Sequence, residues 1–94
     1  MNDKYIEAVA TVLKSMSHPI RLKILYMLLE GDKTTGQLLE KIETTNPNMS
    51  QHLNVLRDSG VIQSKKERTF VHNSIADKRI AQILKDVQKM FHSE

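Results

Sequence analysis

The sequence predicts a fold that is mainly α with one β-hairpin, an α+β class, and three observations support this prediction. Apolar residues recur at spacings of three and four over most of the chain, which is typical of amphipathic helices. The segments 61–64 and 69–75 instead carry the β-branched and aromatic residues of strands. The 94 residues contain no internal repeat or low-complexity run, so we expect a single domain over residues 1–94.

Composition narrows the class of protein. The net charge of +3 permits nucleic-acid binding without requiring it. The absence of cysteine excludes disulfides and thiolate metal sites. Residues 1–12 do not resemble a signal peptide, and no apolar stretch approaches the roughly 18 residues of a membrane span. We therefore expect a soluble, cytoplasmic protein without contact to a membrane.

Two amphipathic helices are predicted at the start of the chain. Residues 3–16 carry apolar side chains at helical spacing. Ser17 is expected to cap the second helix, with His18 and Pro19 in its first turn and Gly31 at its end. The broad apolar stripe of this second helix makes it the expected centre of the core.

The third and fourth helices are predicted to be joined by a tight turn. Thr34 or Thr35 caps the third helix, which extends to about Ile42, and residues 43–44 form the turn. The fourth helix covers about residues 46–59. Two short helices in this arrangement, the second polar on its outer face, are typical of a helix-turn-helix.

The fourth helix has two faces of opposite character. Met49, Leu53 and Leu56 are spaced to face a core, whereas the outer face carries amides, a hydroxyl and a guanidinium. Such groups read base edges and hold phosphates in protein–DNA complexes, although an ordinary solvated face has the same composition. Thr45 is the expected N-cap, and Gly60 is the expected C-terminal residue of left-handed conformation.

A charged turn, Lys65-Lys66-Glu67-Arg68, is predicted between the two strands. A two-stranded hairpin directly after a helix-turn-helix makes the whole a winged helix-turn-helix. Three cations among four residues favour contact with a phosphate backbone over an ordinary polar turn.

The first and last helices carry apolar stripes that so small a domain is not expected to cover by itself. We predict the last helix over about residues 76–91, and we interpret both stripes as a homodimer interface. Packing within one chain is the alternative. The predicted interface residues are Ile6, Val9, Leu13, Ile80, Ile83, Leu84, Val87, Met90 and Phe91.

Two motifs resemble those of ArsR/SmtB-type winged-helix regulators. The segment 17–25, SHPIRLKIL, is similar to the family's D/H-P-x-R-L-x-I-L signature, and the segment 50–62, SQHLNVLRDSGVI, is similar to its S-x-H-L-x-x-L-R-x-A-G-L-V segment. The resemblance covers about residues 13–75. It implies a homodimeric transcriptional regulator, usually a repressor that binds an inverted-repeat operator and releases it when an effector binds.

The resemblance also implies which residues contact DNA. The family's recognition-helix contacts fall on Asn46, Pro47, Ser50 and Gln51. Pro47 stands where the family commonly has a serine, so the side-chain hydrogen bond of that serine is lost. Arg68 stands where the family often has glycine, which leaves the geometry of the wing tip open. Together with the outer face of the fourth helix, the predicted DNA-binding set is Asn46, Pro47, Asn48, Ser50, Gln51, Asn54, Arg57, Lys65, Lys66, Arg68 and Thr69. Arg21 is expected to bond to neighbouring helices instead.

The family's sensing sites do not match this chain. Arsenic, cadmium and thiol-based sensors need cysteines, which are absent. The zinc and nickel ligands of the last helix fall on Asp77, Arg79, Met90 and Ser93, where the carboxylate alone is a suitable ligand. We therefore expect neither metal nor cofactor, and the effector stays unknown.

The four histidines show no spacing typical of a helical zinc site. His72 and His92 would be proton sensors if they faced each other across the dimer, a hypothesis that pH-independent operator binding would exclude. Further alternatives are a winged-helix protein-interaction module and a metal-responsive repressor with an unfamiliar site. An enzyme is not expected, because no nucleophile–base pair or phosphate-binding loop is evident.

Overall fold

Over residues 1–92, five helices and a three-stranded antiparallel sheet build the domain, which confirms the predicted winged helix-turn-helix. The computed structural model describes residues 1–92, so Ser93, one of the four positions aligned with metal ligands, lies outside it. In chain order the elements are α1 Asp3–Met16, α2 Pro19–Leu28, β1 Lys33–Thr34, α3 Thr35–Lys41, α4 Asn46–Asp58, β2 Ile62–Glu67, β3 Phe70–Ile75 and α5 Lys78–Lys89.

Helix α2 begins and ends differently from the prediction. His18, and not Ser17, is its N-cap: the imidazole Nδ1 accepts a hydrogen bond from the Ile20 amide at 3.1 Å. Ser17 instead ends α1, where its amide donates to the Lys14 carbonyl. The helix ends at Leu28, before Gly31, whose φ of +138° is a conformation that favours glycine.

The sheet has one strand more than predicted. The expected link 32–34 contains β1, which pairs with β3 so that the strand order is β1-β3-β2. Lys33 lies opposite Asn73, and Thr34 lies opposite His72. This short edge strand covers one side of the hairpin and ties it to the start of α3.

The hairpin turn is shorter than predicted. Strand β2 continues to Glu67, which pairs with Phe70, so that Lys65 and Lys66 lie in the strand and the turn consists of Arg68 and Thr69. Charged side chains are compatible with this strand because its outer end is exposed at the edge of the sheet.

Helix α5 is shorter than predicted and contributes to the core. It begins at Lys78 with Asp77 as N-cap, because the Asp77 carboxylate accepts from the Arg79 amide. Leu84 is only 2% exposed and was wrongly assigned to the exposed dimer face. It packs in the protomer's own core, and its carbonyl accepts a hydrogen bond from the Tyr26 hydroxyl at 2.9 Å.

The core lies between α2, α3, α4 and the base of the hairpin. Its largest fully buried apolar side chains are Ile24, Leu25, Leu38, Met49, Leu56 and Val61. None of the described helices combines the length and apolar composition that crossing a lipid bilayer requires.

Candidate nucleic-acid interface

Helix α4 is fixed in position by its cap and by its buried side. The Thr45 hydroxyl accepts a hydrogen bond from the Asn48 amide at 3.2 Å, as predicted for an N-cap. Met49, Leu53 and Leu56 are buried, so the opposite face of the helix points outward. The preceding helix α3 begins with a capping box between Thr34 and Gln37, which satisfies two backbone amides at its start.

The outward face of α4 is mainly polar, although it also carries Val55, which is 39% exposed, and the exposed carboxylate of Asp58. Its other exposed members are Asn46, Pro47, Asn48, Ser50, Gln51 and Asn54. Arg57 differs from these residues because it is half-buried: its Nε donates to the Ser64 hydroxyl at 2.9 Å, and its NH1 donates to the Asn54 side-chain oxygen at 2.6 Å. Arg57 therefore connects this face to the hairpin and also orients Asn54.

The wing presents cations beside that face. Lys65, Lys66, Arg68 and Thr69 are all exposed. Arg68 has a φ of +60°, a conformation that non-glycine residues adopt at a cost of about 1 kcal/mol or more. The turn geometry that glycine would adopt without strain is thus retained here with a guanidinium at its tip.

Helices α1 and α5 each carry apolar side chains on the surface of the domain, and we refer to them together as the apolar face of α1 and α5. Leu13 is 53% exposed and Val87 is 44% exposed, values that are high for aliphatic side chains within helices. The other exposed members of this apolar face are Tyr5, Ile6, Val9, Ile83, Met90 and Phe91. Ile80 is half-buried against the core, and Leu84 does not belong to the face.

Comparison with known proteins identifies the family. The sequence profile described as "Bacterial regulatory protein, arsR family" matches residues 18–64, from the N-cap of α2 to the middle of β2. The chain belongs to the ArsR family. It is thus a transcriptional regulator with a winged helix-turn-helix DNA-binding fold and not an enzyme.

Relatives of the chain are named as transcriptional regulators, and solved structures of such regulators share its fold. The chain is 32% identical over 89 residues to the "Biofilm growth-associated repressor" of Xylella fastidiosa strain Temecula1. This match covers 95% of the chain and 78% of the relative. The crystal structure of the transcriptional repressor BigR from Xylella fastidiosa superposes with a TM-score of 0.84 at 30% identity and covers 100% of both chains. A homodimeric winged helix-turn-helix DNA-binding domain from Mycobacterium bovis shares the fold, with a TM-score of 0.87, 22% identity and coverage of 100% and 95%.

Two of the four positions aligned with metal ligands, Asp77 and Arg79, form an ion pair at the start of α5. The Arg79 guanidinium lies 2.7 Å from the Asp77 carboxylate, and its hydrogen bonds lower the pKa of Asp77 to about 2. Over residues 1–92, no three His, Cys, Asp or Glu side chains come together in a group that could hold a metal ion.

Two histidines that are distant in sequence meet beneath α4. The rings of His18 and His52 lie 4.5 Å apart between centroids, and the Arg21 guanidinium lies 3.3 Å from His52 Nδ1. Arg21 also donates to the Ser15 carbonyl, which confirms that it bonds to neighbouring helices. Burial, followed by the nearby His18 and Arg21, lowers the pKa of His52 below its usual value. Sequence spacing gave no sign of this cluster, since 34 positions separate the rings.

The His18–His52–Arg21 cluster predicts a stability that depends on pH. Because the pKa of His52 is lower in the folded than in the unfolded chain, the unfolded chain binds more protons below about pH 6.5. We expect the melting temperature to fall between about pH 7.5 and pH 5.5, and His52→Gln to reduce that loss. Thermal melts by circular dichroism measure both effects.

His92→Gln is the control for loss of an imidazole, because His92 is exposed beyond the C-terminal end of α5. It should keep the pH dependence of the unchanged protein. Asp77 does not contribute in this window, since its lowered pKa affects stability only below about pH 4. A His52→Gln variant with the full pH dependence would contradict the assignment.

Proposed function

We propose that the protein is a homodimeric repressor that binds an inverted-repeat operator, with α4 in the major groove and the wing on the phosphate backbone. The observation that carries this proposal is the mainly polar outward face of α4 beside an exposed cationic wing. The relative from Xylella fastidiosa is named a repressor, which supports the sign of regulation proposed here. Action on chromosomal DNA implies a cytoplasmic protein.

In this proposal, different exposed residues of α4 contact the bases and the phosphates of the DNA. Amide side chains such as Gln51 and Asn48 are suited to base edges, and the Ser50 hydroxyl is suited to bases or nearby phosphates. Asn46 and Pro47, at the N-terminus of α4, lie where backbone amides favour a phosphate. Asn54 and Arg57 complete the surface near the C-terminal end, where their mutual hydrogen bond sets the orientation of both.

The wing supplies charge and not sequence information. Lys65, Lys66 and Arg68 are exposed cations, and Thr69 adds a hydroxyl donor at the turn. Contacts of this type neutralise phosphates, release condensed counterions and strengthen binding to any sequence.

Homodimerisation is proposed from the apolar face of α1 and α5. An exposed apolar face of this extent on a small monomer marks an interaction surface. A second copy provides the same face, and twofold symmetry then places two α4 helices about one helical turn apart on DNA. The domain from Mycobacterium bovis that shares this fold is itself homodimeric.

Removal of one wing cation tests the proposed contact. We expect Lys65→Ala to weaken binding to operator and scrambled DNA by a similar factor and to reduce the slope of log K against log salt by about one per protomer. Fluorescence anisotropy across a salt series measures both. Lys89→Ala, which removes an exposed cation from the far end of α5, is the control. An unchanged slope for Lys65→Ala would remove the wing from the DNA contact surface.

A further inference from the structure

A chain of buried hydrogen bonds runs beneath the wing, with Asn73 at its centre. Asn73 is fully buried in the middle strand β3. Its side-chain oxygen accepts from the Ser64 hydroxyl at 2.7 Å, and its amide nitrogen donates to the Lys33 carbonyl and to the Thr35 hydroxyl, both at 3.2 Å. Among the described residues, no buried side-chain nitrogen or oxygen lacks a partner, so the cost of burying this amide is offset.

The hydrogen bonds continue from Ser64 to the outward face of α4. The Ser64 hydroxyl accepts from Arg57 Nε, and Arg57 NH1 donates to the exposed Asn54. We refer to this series of hydrogen bonds as the wing-base network. It runs from Asn54 through Arg57 and Ser64 to Asn73, which bonds to both Lys33 and Thr35. It joins the DNA-facing surface of α4, both strands of the wing and the first residue of α3.

The register of the sheet explains why these groups meet. Ser64 on β2 and Lys33 on β1 both lie directly opposite Asn73, one on each side. The link therefore depends on the short strand β1 as well as on the hairpin. Because the bonds around Asn73 are shielded from water and connect to α4 through Arg57, the network holds the wing at one angle to α4.

We propose that Ser64 and Asn73 are positioning residues that fix the wing relative to the recognition helix, so that both contact DNA at once. This inference rests on the proposed DNA-binding function. Neither residue contacts DNA: Asn73 is fully buried, and the Ser64 hydroxyl is bonded on both sides. A wing that moves freely would have to be ordered again on each binding event, which lowers the effective concentration of its cations near the phosphates.

The test replaces Ser64, because this change breaks two bonds of the network and removes no apolar side chain from the core. It also leaves the buried Asn73 oxygen without its Ser64 donor, so some loss of stability is expected. We expect Ser64→Ala to lower operator affinity at least roughly tenfold and to reduce the salt slope by about two to three per protomer, more than Lys65→Ala does, because the contacts of all three wing cations are lost. Adding Lys66→Ala to this variant should then have less than about a twofold effect, because the wing no longer contributes. Anisotropy titrations across a salt series provide all three values.

Two matched variants separate positioning from stability. Ser64→Thr keeps the hydroxyl on a residue that favours strands, and it should restore the affinity and the salt slope. Ser74→Ala removes a hydroxyl from the neighbouring position on β3, whose side chain points to the opposite face of the sheet, and should change neither. Thermal melts give the folded fraction of each variant, so a loss of folded protein is measured separately.

The outcomes distinguish this inference from the proposed function. Ser64→Ala with the affinity and salt slope of the unchanged protein would overturn the positioning role while leaving DNA binding in place. An affinity loss that follows only the unfolded fraction, with an unchanged slope, would also overturn it. If the unchanged protein itself does not bind DNA specifically, both the function and the inference are wrong.

Discussion

Replacing Val87 by aspartate is expected to convert the proposed dimer into monomers and to lower operator affinity roughly a hundredfold. Val87 lies in the middle of the apolar face of α1 and α5, and it is exposed on the protomer. A carboxylate buried there between two subunits would lack a partner, which costs far more than the dimer contact gains. A monomer would bind one half-site alone, without the increase in affinity from two joined recognition helices.

Analytical ultracentrifugation and operator titration measure the two effects of Val87→Asp. Lys85→Asp is the matched control, since it places the same carboxylate on an exposed, polar position of the same helix. It should remain dimeric. Circular dichroism should show both variants folded, because neither position belongs to the core. A Val87→Asp protein that stays dimeric would place the interface on another surface.

Replacing Gln51 by alanine is expected to cost about 1–3 kcal/mol at the preferred operator and to relax specificity at one base position. Gln51 is exposed on the outward face of α4, where an amide can both donate to and accept from a base edge. Alanine has the higher helix propensity, so that the loss cannot come from unfolding of α4.

Affinity for the operator and for single-base operator variants measures the role of Gln51. A specific contact predicts that the loss is large at the operator and small on scrambled DNA. Gln88→Ala, on an exposed position of α5, is the control and should leave both affinities unchanged. An equal loss on all sequences would make Gln51 a contact to the backbone that positions the protein.

The helix-turn-helix was predictable because its determinants are local. The spacing of Met49, Leu53 and Leu56 and the cap at Thr45 lie within one short segment, and the structure shows both features as expected. Helix signals depend on residues three or four positions apart, so they can be recognised in the sequence alone.

Features that depend on distant partners could not be predicted in the same way. Strand β1 has two residues and exists because Lys33 pairs with Asn73, 40 positions away. Leu84 lies on the same amphipathic stripe as Val87, and only the docking of α5 near Tyr26 decides which of them is buried. The contact between His18 and His52 likewise depends on how α2 crosses α4.

The central claim is specific operator binding, and fluorescence anisotropy of the unmodified protein with its own upstream DNA tests it most directly. Titrations with upstream and scrambled DNA across a salt series give the affinity, the specificity and the number of phosphate contacts. We predict a preference for the upstream DNA of about a thousandfold and a steep negative salt slope. Equal, weak binding to both sequences would contradict the assignment of the α4 face as a DNA-reading surface.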